Sequence, residues 1–172
     1  MTKTILITGA TGSVGPRVVA AFHDAGYHIR TLSIDSPLDG VWPDGIDARI
    51  GDINDPAVVQ SAVQGVDGVI HLAALLHIVN PPPELRPQYE RVNVDGTANA
   101  VEAAQQAGVK RLVFFSTIAV YGSTSGGILT EDSPIHPDSF YAQTKLDAER
   151  LVLTAKREDG RFLGTVLRLG AV

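Results

Sequence analysis

Thr4-Ile5-Leu6-Ile7-Thr8 runs straight into Gly9, and Gly12 and Gly15 follow at intervals of three. A β-branched run of this length reads as a buried strand. Val14, Val18, Val19 and Phe22 then recur at helical spacing toward Ala25, and Gly26 stops the helix. Three glycines between a strand and a helix have distinct uses. The turn needs a residue without Cβ, the helix must pack closely on the strand, and the helix N-terminus offers free N–H groups and a positive dipole end. Such a turn can seat a diphosphate on Gly9, Gly12, Ser13, Val14 and Gly15. A tight βα turn with no ligand is the plainer alternative.

The same alternation continues along the chain. Strands are expected at His28–Ser33, Ala48–Ile50, Val66–Leu72, Arg111–Ser116 and Leu163–Leu169. Helices are expected from Pro56 to about Gln64, capped by Asn54 or Asp55, then over Tyr89–Ala107 and Tyr141–Lys156. Strands separated by helices pair in parallel through right-handed crossovers. The fold class that follows is α/β, a doubly wound, mostly parallel Rossmann-type sheet covered on both faces. Two stretches break the rhythm. Asp35–Asp47 is a Pro-, Gly- and Asp-rich surface loop, and Ala74–Arg86 contains Pro81-Pro82-Pro83, which cannot continue a helix.

Composition closes off other classes. A length of 172 residues suits one domain, and 44% hydrophobic against 19% charged residues builds a core rather than a disordered chain. With a net charge of -5 and no basic run, binding to nucleic acid is not expected. No cysteine is present, so there is no thiolate metal site, and no metal is expected. No stretch approaches the ~18 apolar residues of a membrane span, and the N-terminus lacks the long apolar run of a signal peptide. A cytoplasmic protein is expected.

Asp35 follows the second strand about 20 residues beyond the glycines, where a carboxylate can bond adenosine ribose hydroxyls. Ser33 occupies the ideal position instead, and Arg30 is the nearest basic residue for a 2′-phosphate. The balance favours NAD, with NADP possible. Tyr141 and Lys145 lie four apart on one helix face. An ammonium beside a phenol favours the phenolate, which makes Tyr141 a usable proton carrier. Ser116-Thr117 ends the fifth strand, on the sheet edge that lines the ligand crevice.

The segments TGATGSVG (8–15), GDIND (51–55), VIHLAA (69–74), NVDGT (93–97), FFSTIAVYG (114–122), TEDSPIHP (130–137) and YAQTK (141–145) follow one another in an order that resembles the extended short-chain dehydrogenase/reductase superfamily, in its NAD-dependent epimerase/dehydratase branch. The resemblance implies that Asp52 and Ile53 contact adenine, that Leu72, Ala73 and Ala74 lie along the coenzyme, and that Asn93 orders the crevice. It implies Thr117, Tyr141 and Lys145 as the catalytic set, with Lys145 also on the ribose. It implies a homodimer through the helices at 89–107 and 141–156, where Ala98, Ala100, Ala103 and Ala104 allow close approach.

Sugar 4,6-dehydratases of the superfamily carry an Asp-Glu pair after the Thr, but Ile118 and Ala119 stand here. The resemblance therefore implies an NAD-dependent epimerase of nucleotide-sugar type. The alternatives are a dehydrogenase or reductase of a sugar or other hydroxyl or ketone substrate, and a non-catalytic dinucleotide-binding module. Residues 1–172 are expected to be the coenzyme-binding N-terminal part of a longer enzyme whose C-terminal substrate domain is missing.

Overall fold

Six strands form one sheet in the order β3-β2-β1-β4-β5-β6, every neighbouring pair parallel. They are β1 (Thr4–Thr8), β2 (His28–Ser33), β3 (Asp47–Ile50), β4 (Gly68–His71), β5 (Arg111–Thr117) and β6 (Gly164–Leu169). The computed structural model describes residues 2–76, 78, 81–123 and 126–170. Residues 77, 79 and 80 of the proline-bearing connection, and 171 and 172 of the final stretch, thus lie outside the described residues. The strand order turns between β1 and β4, which is where open α/β sheets leave a crevice beyond their carboxyl ends.

The helices are α1 (Gly15–Asp24), α2 (Pro56–Val63), α3 (Arg86–Tyr89), α4 (Gly96–Gln106) and α5 (Phe140–Thr154). Strand periodicity divides the core. Leu6, Val69, Leu112 and Phe114 point to one face and pack with Val59, Ala62 and Val63 of α2, Ala100, Ala103 and Ala104 of α4, and Ala148 and Val152 of α5. Ile5, Ile7, Ile29 and Ile70 point to the other, where Val18, Val19 and Phe22 of α1 meet Trp42 and Ile46 of the 35–47 loop. Among the described residues, one face thus packs against α2, α4 and α5 and the other against α1 and the 35–47 loop. Ala100, Ala103 and Ala104 of α4 are thus used in the chain's own core, while Ala98 is only half-buried.

Local chemistry sets the ends. Asp55 caps α2, accepting from the N–H groups of Ala57 and Val58 at 2.9 and 3.3 Å. Ser139 caps α5 through Ala142 N–H at 3.1 Å. The long helix differs from expectation: it opens with a 3₁₀ turn at Pro83–Leu85, earlier than Tyr89, and contains a π-helical segment, Glu90–Asp95, between α3 and α4. Proline supplies its first turn, where a missing N–H costs nothing. β4 ends at His71, one residue short of the expected Leu72. Leu72 N–H still reaches the Thr8 carbonyl at 3.1 Å as the chain leaves the sheet.

Candidate active site

A crevice of about 1200 Å³ runs along the carboxyl edge of the sheet. At one end lies the glycine turn. Gly9 has φ +67°, and a Cβ there would stand 2.6 Å from the Ala73 backbone. A Cβ on Gly15 would stand 2.1 Å from the Ala10 carbonyl oxygen. Both glycines are therefore demanded by packing within the fold. Gly12 is not: its nearest neighbour would be the Gly9 carbonyl at 3.2 Å, and its backbone faces the crevice. Helix α1 starts after Val14, with no side-chain cap on its first turn. An open glycine beside an uncapped helix N-terminus fits a diphosphate.

The adenosine end is lined by Ser33, Ile34, Asp35, Asp52 and Ile53. Ser33 Oγ accepts from Thr11 N–H at 3.3 Å, tying β2 to the glycine turn, while Asp35 is exposed at the rim. Asp52 Oδ1 accepts from the backbone and side-chain nitrogens of Asn54 at 2.9 and 2.8 Å, so it orders the turn and leaves capping of α2 to Asp55. Arg30 is turned elsewhere. It pairs with Asp47 at 2.6 Å and donates to the carbonyls of Ala62 and Gln64. The basic side chain that does line this end, Arg91, lies 3.9 Å from Asp52. The residue best placed in the sequence to meet a 2′-phosphate is thus engaged in the fold.

Leu72, Ala73 and Ala74 line the crevice beyond β4. Asn93 stands behind this wall and not among the lining residues, ordering the crevice from the second layer. It is buried and grips the connection, accepting from Leu75 N–H at 2.7 Å and donating to Leu75 O and to Thr144 Oγ1. Tyr89 Oη does the same one step on, donating to Leu76 O at 2.8 Å and accepting from Ile78 N–H at 3.2 Å. Two side chains of the long helix thereby hold the connection that lines the crevice.

His71 anchors that helix to the sheet. Its Nδ1 lies 2.6 Å from Thr8 Oγ1 and its Nε2 3.0 Å from Thr97 Oγ1. Thr97 spends its proton on the Asn93 carbonyl at 2.6 Å, so Nε2 carries the imidazole hydrogen and Nδ1 accepts from Thr8. Burial lowers its pKa to about 3, helped by the Lys145 charge, so the ring stays neutral. His71 is thus a packed strand residue.

Thr117, Tyr141 and Lys145 all line the crevice at the end away from the adenosine residues. Tyr141 is hydrogen-bonded to Thr117, whose Oγ1 also accepts from Ala119 N–H at 3.1 Å. Among the protein's own groups, burial pushes the Tyr141 phenol above its usual range, against the lowering expected from Lys145; the Thr117 contact opposes this rise and Tyr89 adds to it. Lys145 explains the difference: it is 2% exposed, and burial takes its pKa down to about 7, with Glu149 pushing back. Its charge near neutrality is partial.

Glu149, Arg168 and Tyr121 form a group that sequence reasoning missed. Glu149 is 1% exposed and accepts from Ser116 Oγ at 2.5 Å and from Arg168 Nε and Nη2 at 3.0 and 2.7 Å. Arg168 Nη1 donates to Tyr121 Oη at 2.8 Å. The available signal was the spacing 141, 145, 149, which places a carboxylate on the helix face that carries Tyr141 and Lys145. Among the described residues no cluster of His, Cys, Asp or Glu could hold a metal, and no helix is long and apolar enough to cross a membrane.

The NAD dependent epimerase/dehydratase family matches residues 5–172. The chain belongs to that family. Its relatives include a 3 beta-hydroxysteroid dehydrogenase/Delta 5-->4-isomerase from Mycobacterium tuberculosis, 33% identical over 162 residues, covering 91% of this chain and 44% of the relative. A UDP-glucose 4-epimerase from Streptomyces lividans is 32% identical over 158 residues, covering 88% and 47%. Among solved structures, a short-chain dehydrogenase/reductase superfamily protein from Agrobacterium tumefaciens with bound NAD has a TM-score of 0.84 at 35% identity, covering 96% of this chain and 48% of that one. MoeE5 in complex with UDP-glucose and NAD has a TM-score of 0.85 at 34% identity, covering 96% and 53%. The chain spans about half the length of the family members it matches.

Proposed function

We propose that this chain holds NAD and supplies the acid–base set of an oxidoreductase acting on a secondary hydroxyl or ketone. The observation that carries this is the presence of Thr117, Tyr141 and Lys145 in one crevice with the glycine turn. NAD, when bound, supplies the hydride acceptor or donor. Gly12, Ser13 and Val14 would hold its diphosphate, Asp35 its adenosine ribose and Lys145 the other ribose. Tyr141 moves the hydroxyl proton, and Thr117, already bonded to the phenol, orients the oxygen that gives or takes it. A charge on Lys145 helps the buried phenol lose its proton. The intact set favours an enzyme over a binding module.

Net oxidoreduction of an apolar substrate is the reading we favour. Besides Thr117 and the polar Gln88 and Arg91, the crevice takes in Ile118, Ala119, Leu76 and Leu129, whose side chains can neither bond sugar hydroxyls nor transfer a proton. The similarity to a 3 beta-hydroxysteroid dehydrogenase supports this. Nucleotide-sugar epimerisation is the second reading, supported by the similarity to a UDP-glucose 4-epimerase and to MoeE5 with UDP-glucose. Nicotinamide absorbance separates them. Net NADH from a 3-hydroxysteroid supports the first; UDP-galactose from UDP-glucose with no net NADH supports the second. A homodimer belongs to either reading, and light scattering tests it.

A further inference from the structure

We infer that Glu149 is the positioning residue of this site: from one turn beyond Lys145 it brackets Thr117, directly through Ser116 and by way of Arg168 through Tyr121, and sets a negative charge on the helix that carries Lys145. The inference rests on the functional reading above for its purpose, while its geometry stands apart from it.

The carboxylate reaches both flanks of Thr117. Before it, Ser116 Oγ donates to Oε1 at 2.5 Å. After it, the 3₁₀ turn Ile118–Tyr121 ends on Tyr121, whose hydroxyl is bound at 2.8 Å by Arg168, and Arg168 in turn is gripped by Glu149 through Nε and Nη2. The Arg168 guanidinium also lies 4.9 Å from the centre of the Tyr121 ring. Ser116 and Arg168 are register partners across β5 and β6, so the clamp closes within two strands and one helix. A residue at 149 that merely filled space would need no charge. Burying a carboxylate is costly unless it is fully paired, and this one accepts from three donor groups on two residues.

Among the described residues, the titratable and charged groups tied to Lys145 are Glu149 one turn on along its own helix, His71 on β4 and, through Glu149, Arg168 on β6, with Tyr141 one turn before it in the crevice lining. His71 is neutral and Tyr141 is protonated at neutral pH, so Glu149 is the negative charge that offsets desolvation. Glutamine at 149 keeps an acceptor for Ser116 and Arg168 but removes that charge.

The test follows the titration of Lys145 by NMR of lysine-labelled protein. The lysines are Lys3, Lys110, Lys145 and Lys156, and a Lys145→Met variant assigns the signal. In Glu149→Gln the Lys145 midpoint should fall by about one pH unit or more, and Glu149→Asp should restore part of it. Should the single variant not fold, Glu149→Gln combined with Arg168→Gln is compared with Arg168→Gln alone, so that only the carboxylate differs, and carries the same expectation. A midpoint that does not fall in the folded comparison overturns the inference. NAD binding by the wild-type chain is measured alongside. Its absence would sink the functional reading without touching the titration result.

Discussion

Lys145 Nζ lies 4.0 Å from the centre of the Phe114 ring, and the side chain is almost wholly buried. The ring face replaces part of the water the ammonium has lost, yet burial still holds the pKa at about 7 against the ordinary 10.5. The native state therefore gives up this proton near neutrality, whereas the unfolded chain keeps it to about pH 10.5. Between those values the unfolded state binds more protons, and folding gains stability as pH rises. A Lys145→Met variant should lose this slope. Thermal melts of both proteins from pH 7 to 10 check it, and parallel curves would show that Lys145 titrates normally.

Tyr141→Phe keeps the ring and removes the group assigned to proton transfer. Turnover should fall by about 10²–10⁴-fold, while NAD affinity measured by calorimetry stays within about twofold. Because burial raises the phenol, activity in the oxidative direction should climb with pH above neutrality in the wild type. Turnover that survives the substitution would remove Tyr141 from the mechanism.

The glycines should separate by readout. Gly9→Ala meets the Ala73 backbone at 2.6 Å from a positive φ, so it should destabilise the fold by about 2 kcal/mol or more. Gly12→Ala meets a single carbonyl at 3.2 Å and should leave the melting curve nearly in place. Its cost should appear in NAD affinity, at tenfold or beyond. Equal losses of stability in both variants would contradict the assignment of Gly12 to the coenzyme.

His71 should remain neutral well into acid. Its folded pKa of about 3 lies below the ordinary 6.5, so the unfolded chain takes up a proton that the native ring refuses. Stability tied to this group is complete above pH 6.5 and is lost as pH falls toward 3. The His71 imidazole signals should hold their shifts between pH 8 and 4.5. A titration midpoint near 6 would mean that the Thr8–His71–Thr97 chain is open.

Much of this architecture was readable in the chain. The β-branched run at His28–Ser33 matches β2 residue for residue, and Asp55 before Pro56 announces its own helix. Local chemistry decides such features. What escaped depends on partners far along the chain. Glu149 looks like an ordinary surface charge on a helix until Ser116, 33 residues away, and Arg168, 19 residues away, are brought to it. The motif around Asn93 tells that it orders the crevice but not which backbone it grips. A π-helical segment and the Leu75 backbone turn it to the support of the wall. The direction of the Tyr141 shift was missed for a related reason: spacing reveals that a lysine is near but not how deeply it is buried.

On the proposed function NAD lies along the carboxyl edge of this sheet, with its diphosphate at Gly12 and its nicotinamide beside Tyr141. A crystal of the protein grown with NAD shows whether it does. Density is expected across the crevice, with phosphate oxygens within hydrogen-bond distance of the Ser13 and Val14 N–H groups and the Tyr141 hydroxyl facing the nicotinamide end. An NAD molecule bound elsewhere, or one lying reversed with adenine at Thr117, would contradict it.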